Sequence, residues 1–187
     1  MTDITDAKIL IIATDGFERS ELHVPRDQLK ERGATVHLAT PDAATIKSWD
    51  EDNWGDSIDA DLSLEDARIE DYDALVIPGG QINPDILRTK ETAVQIVKDA
   101  VAQGKTVAAI CHGPWMLVEA DVVRGRKITS YPSIRTDLKN AGGEVVDETV
   151  VADRGVVTSR SPEDLDAFVN EIVRQVEQSA ARQPDAA

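Results

Sequence analysis

A single cysteine, Cys111, stands between an apolar run and a glycine–proline pair in Ala109-Ile110-Cys111-His112-Gly113-Pro114. A nucleophile set between a buried strand and a helix sits on a sharp turn, close to the positive end of the helix dipole. That end carries about half an elementary charge, which favours thiolate over thiol. Gly113 lets the chain pass closely, and Pro114 suits a first helical turn. The competing role is a small buried hydrophobe, common for free cysteines; the place at a strand's end argues for chemistry. His112 is the nearest base. Neighbours on a tight turn do not usually point the same way, so adjacency alone does not pair it with the thiol. His23 and His37 have no ligand-like spacing to Cys111. The three or four convergent ligands of a zinc site cannot be assembled, and neither a metal nor a cofactor is expected.

Two other turns carry groups that would serve such a thiol. Glu18 follows Asp15-Gly16-Phe17 just before a helix. It reads either as a solvated helix-start acid or as a carboxyl buried beside Cys111, kept protonated and donating to the sulfur. Pro78-Gly79-Gly80 offers bare backbone N–H groups that would form an oxyanion hole with the N–H of His112, although most Gly-Gly pairs only make turns. Asp85, after Asn83-Pro84, starts a helix and has the same bland reading as Glu18.

The elements that must position these turns follow from the apolar pattern. Lys8 to Ala13, Ala74 to Ile77 and Thr106 to Ile110 are short continuous apolar runs, as expected of strands buried on both faces of a parallel sheet. Thr35 to Ala39 reads as a further strand, and shorter ones are expected at 127–129, 144–146 and 156–158. Helices are expected at 21–32, closed by Gly33, and at 91–103, closed by Gly104. Others fall at 115–120, 133–141 and from Pro162 onward, the last with Ser161 as N-cap and Asp164 as its capping-box partner. Pro41 to Asp71 reads as an acidic loop or hairpin insertion with Trp49 and Trp54. Alternating strands and helices give a mostly parallel sheet covered on both faces, with the functional crevice at the strands' carboxyl ends. One domain is expected over 1–187, with an ordered core over about 8–178 and a small polar tail, 179–187, that is disordered.

Composition narrows the class. A 41% hydrophobic share beside 29% charged residues is the balance of a soluble globular chain. No apolar run approaches the roughly 20 residues of a membrane helix. The acidic start lacks a signal peptide's basic and apolar stretches, and one cysteine makes no intramolecular disulfide, so a cytoplasmic place is expected. A formal charge of −15 without a basic cluster argues against nucleic acid as a partner.

Taken in order, these segments resemble the PfpI-like intracellular proteases of the class I glutamine amidotransferase-like superfamily, which also holds the parkinsonism-associated deglycase. The marks are Asp15 to Leu22, Ala74 to Gly80, Ala109 to Pro114, Arg124 to Lys127, Ser130-Tyr131-Pro132 and Thr158 to Leu165, across about Lys8 to Val176. The resemblance implies a flavodoxin-like three-layer sandwich that forms homodimers, sometimes stacked into hexamers. It implies Cys111 as nucleophile with His112 beside it, and Asp85 as an acid donated across a subunit interface. It further implies Glu18 against the thiol, Gly80 and His112 N–H groups for the oxyanion, and Arg160 near the pocket. The expected activity is cysteine-dependent stress protection on reactive carbonyls, of glyoxalase or deglycase type, and more weakly on peptides. The alternative is a non-enzymatic oxidative-stress sensor or chaperone working through oxidation of Cys111.

Overall fold

The computed structural model describes residues 3–180. Its centre is a seven-stranded sheet. The chain lays down β1 (Lys8–Ile12), β2 (Phe17–Glu18), α1 (Arg19–Glu31), β3 (Thr35–Thr40), β4 (Ile46–Asp50), β5 (Asn53–Ile58) and β6 (Leu62–Ser63). It continues with β7 (Ala74–Ile77), α2 (Ile82–Leu87), α3 (Glu91–Ala102), β8 (Thr106–Ile110) and α4 (Trp115–Glu119). The remainder is β9 (Lys127–Ile128), α5 (Arg135–Asn140), β10 (Glu144–Val145), β11 (Val150–Asp153), β12 (Val156–Ser159) and α6 (Leu165–Ala180). The sheet order is β11–β12–β8–β7–β1–β3–β6, parallel throughout except for the β11–β12 pair.

Strand periodicity builds the two cores, because successive side chains leave a strand on opposite faces. Ile9, Ile11, Val76, Ala108, Ile110 and Val157 pack with Leu22 and Leu29 of α1 and Phe168, Val169 and Ile172 of α6. Leu10, Ile12, Leu75, Ile77, Val107 and Ala109 pack with Leu87, Val97, Met116, Leu117 and Leu138 of α2 to α5. The chain turns from one side of β1 to the other between β3 and β7, which puts the topological switch point at the carboxyl ends of β1 and β7. This is the expected three-layer, mostly parallel sandwich.

Several local expectations are corrected. The first helix begins at Arg19 rather than Glu21 and runs through Pro25, with Glu18 as its N-cap. The insertion, expected as a loop or hairpin, is a hairpin as read: β4 pairs antiparallel with β5 and parallel with β2, forming a small three-stranded sheet. Trp49 and Trp54 lie opposite each other on it, edge to face at 5.5 Å. The edge strand β11 was not anticipated. Ser161 precedes a short 3-10 turn, Pro162–Asp164, and makes no side-chain cap bond. Asp164 reaches past it to accept from the backbone N–H of Arg160 at 3.1 Å. Ser179, expected in the tail, closes the last turn of α6, its hydroxyl donating to the Gln175 carbonyl at 2.7 Å. Of that tail, residues 181–187 lie outside the described residues.

Candidate active site

The turn after β8 is a strained elbow. Cys111 has φ +62°, the left-handed region that L-residues other than glycine, asparagine and aspartate seldom visit. Its backbone is held on both sides: its N–H donates to the Ser159 carbonyl at 3.1 Å, and its carbonyl accepts from Tyr131 N–H at 3.0 Å. Gly113 is required, since a Cβ there would stand 2.7 Å from the Ile77 carbonyl oxygen and 2.8 Å from that of Ile110. The elbow leaves the thiol 6% exposed.

The same elbow brings Cys111 and His112 together after all. Sγ lies 3.2 Å from Nδ1 of His112. The other ring nitrogen, Nε2, is 3.0 Å from the Ser133 hydroxyl. Tyr131 stacks on the imidazole at 4.8 Å and Trp115 meets it edge-on at 5.2 Å. Burial holds the His112 pKa below its ordinary value. Both ring nitrogens thus find partners within one chain.

The carboxyl beside the thiol is that of Glu21, in place of the expected Glu18. Glu18 caps α1: its carboxylate accepts from Glu21 N–H at 2.8 Å and from the Ser20 hydroxyl at 2.6 Å. Glu21 is 0% exposed. Its Oε2 accepts from Gly79 N–H at 2.9 Å, and its carboxyl is a hydrogen-bond partner of the Cys111 thiol. Burial, and then the negative charge of Glu18, push the Glu21 pKa up to about 8, so it holds its proton at neutral pH. Burial also pushes the Cys111 thiol up, and an ionised Glu21 would push it further, while the N–H groups of Gly80 and His112 pull it down. With Glu21 neutral that repulsion is gone. At rest both groups are held protonated, and the thiolate forms only when the thiol proton is taken by a base.

Gly79 N–H is taken by Glu21 at 2.9 Å, so it is not available to an oxyanion; the N–H groups of Gly80 and His112 pull the thiol pKa down, and that of Gly80 pulls on Glu21 as well. A Cβ on Gly79 would collide with Glu21 Oε2 and stand 2.6 Å from Cys111 Cβ, which leaves room only for glycine. The fully buried Asn83 stitches the turns together. Its Oδ1 accepts from Thr14 N–H at 2.8 Å, and its amide donates to the carbonyls of Pro78 at 2.9 Å and Gly79 at 3.2 Å.

The remaining expected residues make no hydrogen bond to Cys111 or His112 within this chain. Arg160 spends its guanidinium on Asp164 (2.8 and 3.0 Å), Asp147 (2.9 Å) and Thr149 (3.3 Å), and no bond joins it to the cysteine. Asp85 is exposed on α2, with no bond to His112. His23 pairs with Asp56 at 3.1 Å and His37 with the Tyr72 hydroxyl at 3.0 Å. Among the described residues no cluster of three metal-ligating side chains occurs, and no helix is long and apolar enough to cross a membrane. Ser133 was the partner of the histidine that sequence reasoning missed. It lay three residues beyond Ser130 of Ser130-Tyr131-Pro132, in what read as the next helix.

The DJ-1/PfpI family model matches residues 7–175. The chain belongs to the DJ-1/PfpI family. It is 43% identical over 167 residues to "Deglycase TK1284" of Thermococcus kodakarensis, covering 89% of this chain and 98% of that one. It is 42% identical over 169 residues to "Protein/nucleic acid deglycase 2" of Escherichia coli, covering 89% and 96%. Among solved structures, Drosophila melanogaster DJ-1beta superposes with a TM-score of 0.81 at 28% identity, over 94% of this chain and 96% of that one. As a DJ-1/PfpI protein, this chain carries its cysteine and histidine on the turn after β8 and its carboxyl at the start of α1.

Proposed function

We propose that the protein is a cysteine-dependent enzyme of deglycase or glyoxalase type that works on small reactive carbonyls. The single observation that carries this reading is the base beside the sulfur: Nδ1 of His112 lies 3.2 Å from Sγ of Cys111 at a buried elbow. Nδ1 of His112 takes the thiol proton, and the thiolate adds to the aldehyde carbon of a substrate such as methylglyoxal. The new alkoxide receives the N–H groups of Gly80 and His112. His112 returns its proton to the alkoxide, giving the neutral hemithioacetal. The freed base then moves the C1 proton to C2 while the C1 hydroxyl proton passes to the C2 oxygen, and water hydrolyses the resulting thioester to lactate and the free thiol. Addition to an aldehyde needs no proton delivery to a leaving nitrogen, so amide cleavage is the slower use of the same groups. Relatives named deglycases, over nearly the whole chain, support the reading.

The test is methylglyoxal loss and lactate formation by the purified protein and by Cys111→Ser. Many turnovers per chain that vanish in the variant are expected; modification stopping at one equivalent would sink the enzyme reading for this substrate. A second reading, oxidation sensing, is favoured by the same donors, which would hold the oxygens of a sulfinate. A stable gain of two oxygens after mild peroxide, without aldehyde turnover, would favour it.

A further inference from the structure

We propose that Ser133 is a positioning residue that fixes His112 as its Nε2–H tautomer and so keeps Nδ1 open to the thiol proton of Cys111. The inference rests on the enzyme reading above and adds to it the group that orients the base. Packing already sets the plane of the ring, between stacked Tyr131 and edge-on Trp115. Trp115 is itself anchored, its Nε1–H donating to Asp137 at 2.8 Å with the Arg88 guanidinium 5.5 Å from its ring. What packing does not set is which nitrogen carries the proton.

The direction of proton transfer decides that. In the enzyme reading the thiol gives its proton to Nδ1, 3.2 Å from Sγ, so Nδ1 is bare beforehand. A neutral imidazole accepting at Nδ1 must carry its proton on Nε2, which then donates to the Ser133 hydroxyl 3.0 Å away. When the proton crosses from Sγ to Nδ1, the products are thiolate and imidazolium, and Nε2–H still donates to Ser133. One acceptor therefore serves both ends of the transfer, with no proton leaving the pair. The charged groups around the ring are Glu21 beyond the sulfur and Arg88 and Asp137 across Trp115, and none of them bonds to Nε2.

The local chain explains how a serine comes to stand there. Tyr131 N–H docks the segment on the Cys111 carbonyl, and the 3-10 turn Pro132–Ile134 then carries Ser133 back over the ring. Its side chain is exposed and makes no other hydrogen bond among the described residues, so its own proton can go to water while the oxygen accepts.

The experiment is nitrogen NMR of the imidazoles in labelled full-length protein. There are three histidines, and His112 is assigned by its loss in His112→Gln. In wild type, Nε2 is expected protonated and Nδ1 bare. Ser133→Ala is expected to give a mixture of tautomers and to lower kcat on methylglyoxal about tenfold with KM held, and Ser133→Thr to restore both. A wild-type His112 protonated on Nδ1 with Nε2 bare would overturn the assignment. So would a Ser133→Ala protein unchanged in both tautomer and kcat, the outcome expected if a carboxylate of a second copy, such as Asp85, orients the ring instead. If wild type turns over no aldehyde but shows the Nε2–H form that Ser133→Ala scrambles, the enzyme reading falls and the positioning role stands.

Discussion

Among the described residues two carboxyl groups are buried almost completely, and they end in opposite conditions. Asp164, 3% exposed, accepts two N–H bonds from the Arg160 guanidinium and a third from the Arg160 backbone. Glu21, 0% exposed, has one backbone N–H on Oε2, no cation, and an Oε1 with no nitrogen or oxygen partner. A buried acid given a guanidinium is a strut, because its charge is matched where it stands. A buried acid denied one keeps its proton, and that proton becomes usable. Arg160 bonds in the first arrangement, while Glu21 has no cation bonded to it and burial with the charge of Glu18 holds its proton.

The contrast breaks most severely at the glycine between Glu21 and the thiol. Gly79→Ala drives a methyl into Glu21 Oε2 and to within 2.6 Å of Cys111 Cβ; a loss of about 3 kcal/mol or more is expected in urea unfolding, with turnover abolished. Next comes Glu21→Gln. The folded-state pKa of about 8 lies above the ordinary 4.5, so between those pH values the native chain binds more protons than the unfolded one. Stability from this group is full below pH 4.5, falls as pH rises through the window, and levels off above 8. A glutamine at this position has no such dependence. The variant should match wild type near pH 4.5 and exceed it by about 3 kcal/mol at about pH 7, while its turnover drops about a hundredfold. A variant that gains nothing at neutral pH would mean that Glu21 is ionised in the fold.

The strut should respond the other way. Asp164→Asn leaves the half-buried Arg160 without its main partner and is expected to cost about 2 kcal/mol, with kcat within about threefold of wild type. Arg160→Lys, which keeps the charge but loses the fork, should cost about 1 kcal/mol. If either variant reduced turnover as strongly as Glu21→Gln, the two acids would not be separable in the way described.

The sequence revealed the frame more readily than the contacts. β7 and β8 were legible to the residue, because a strand buried on both faces shows as an unbroken apolar run ended by a turn. The half-exposed edge strand β11 lacked that run and was not read. Cys111 was legible from its place at such an end. Glu21 was lost to an offset of two residues: with the helix taken to begin at Glu21, Glu18 read as the inward acid. With α1 beginning at Arg19, Glu18 becomes the cap and Glu21 lies one turn further on, facing Gly79. The pairing of Cys111 with His112 depends on one positive φ, which residue types do not announce. Ser133 depends in turn on where a 3-10 turn folds the chain back over the ring.

That positive φ at Cys111 also bears on how the chain would drift under mutation. A side chain at +62° costs about 1–2 kcal/mol that glycine would not incur. Exchanging Cys111 for glycine would relieve that strain but forfeit the side chain's packing in the core and add glycine's backbone entropy. The stability change of Cys111→Gly therefore weighs backbone strain against burial at the one position where the chemistry is carried.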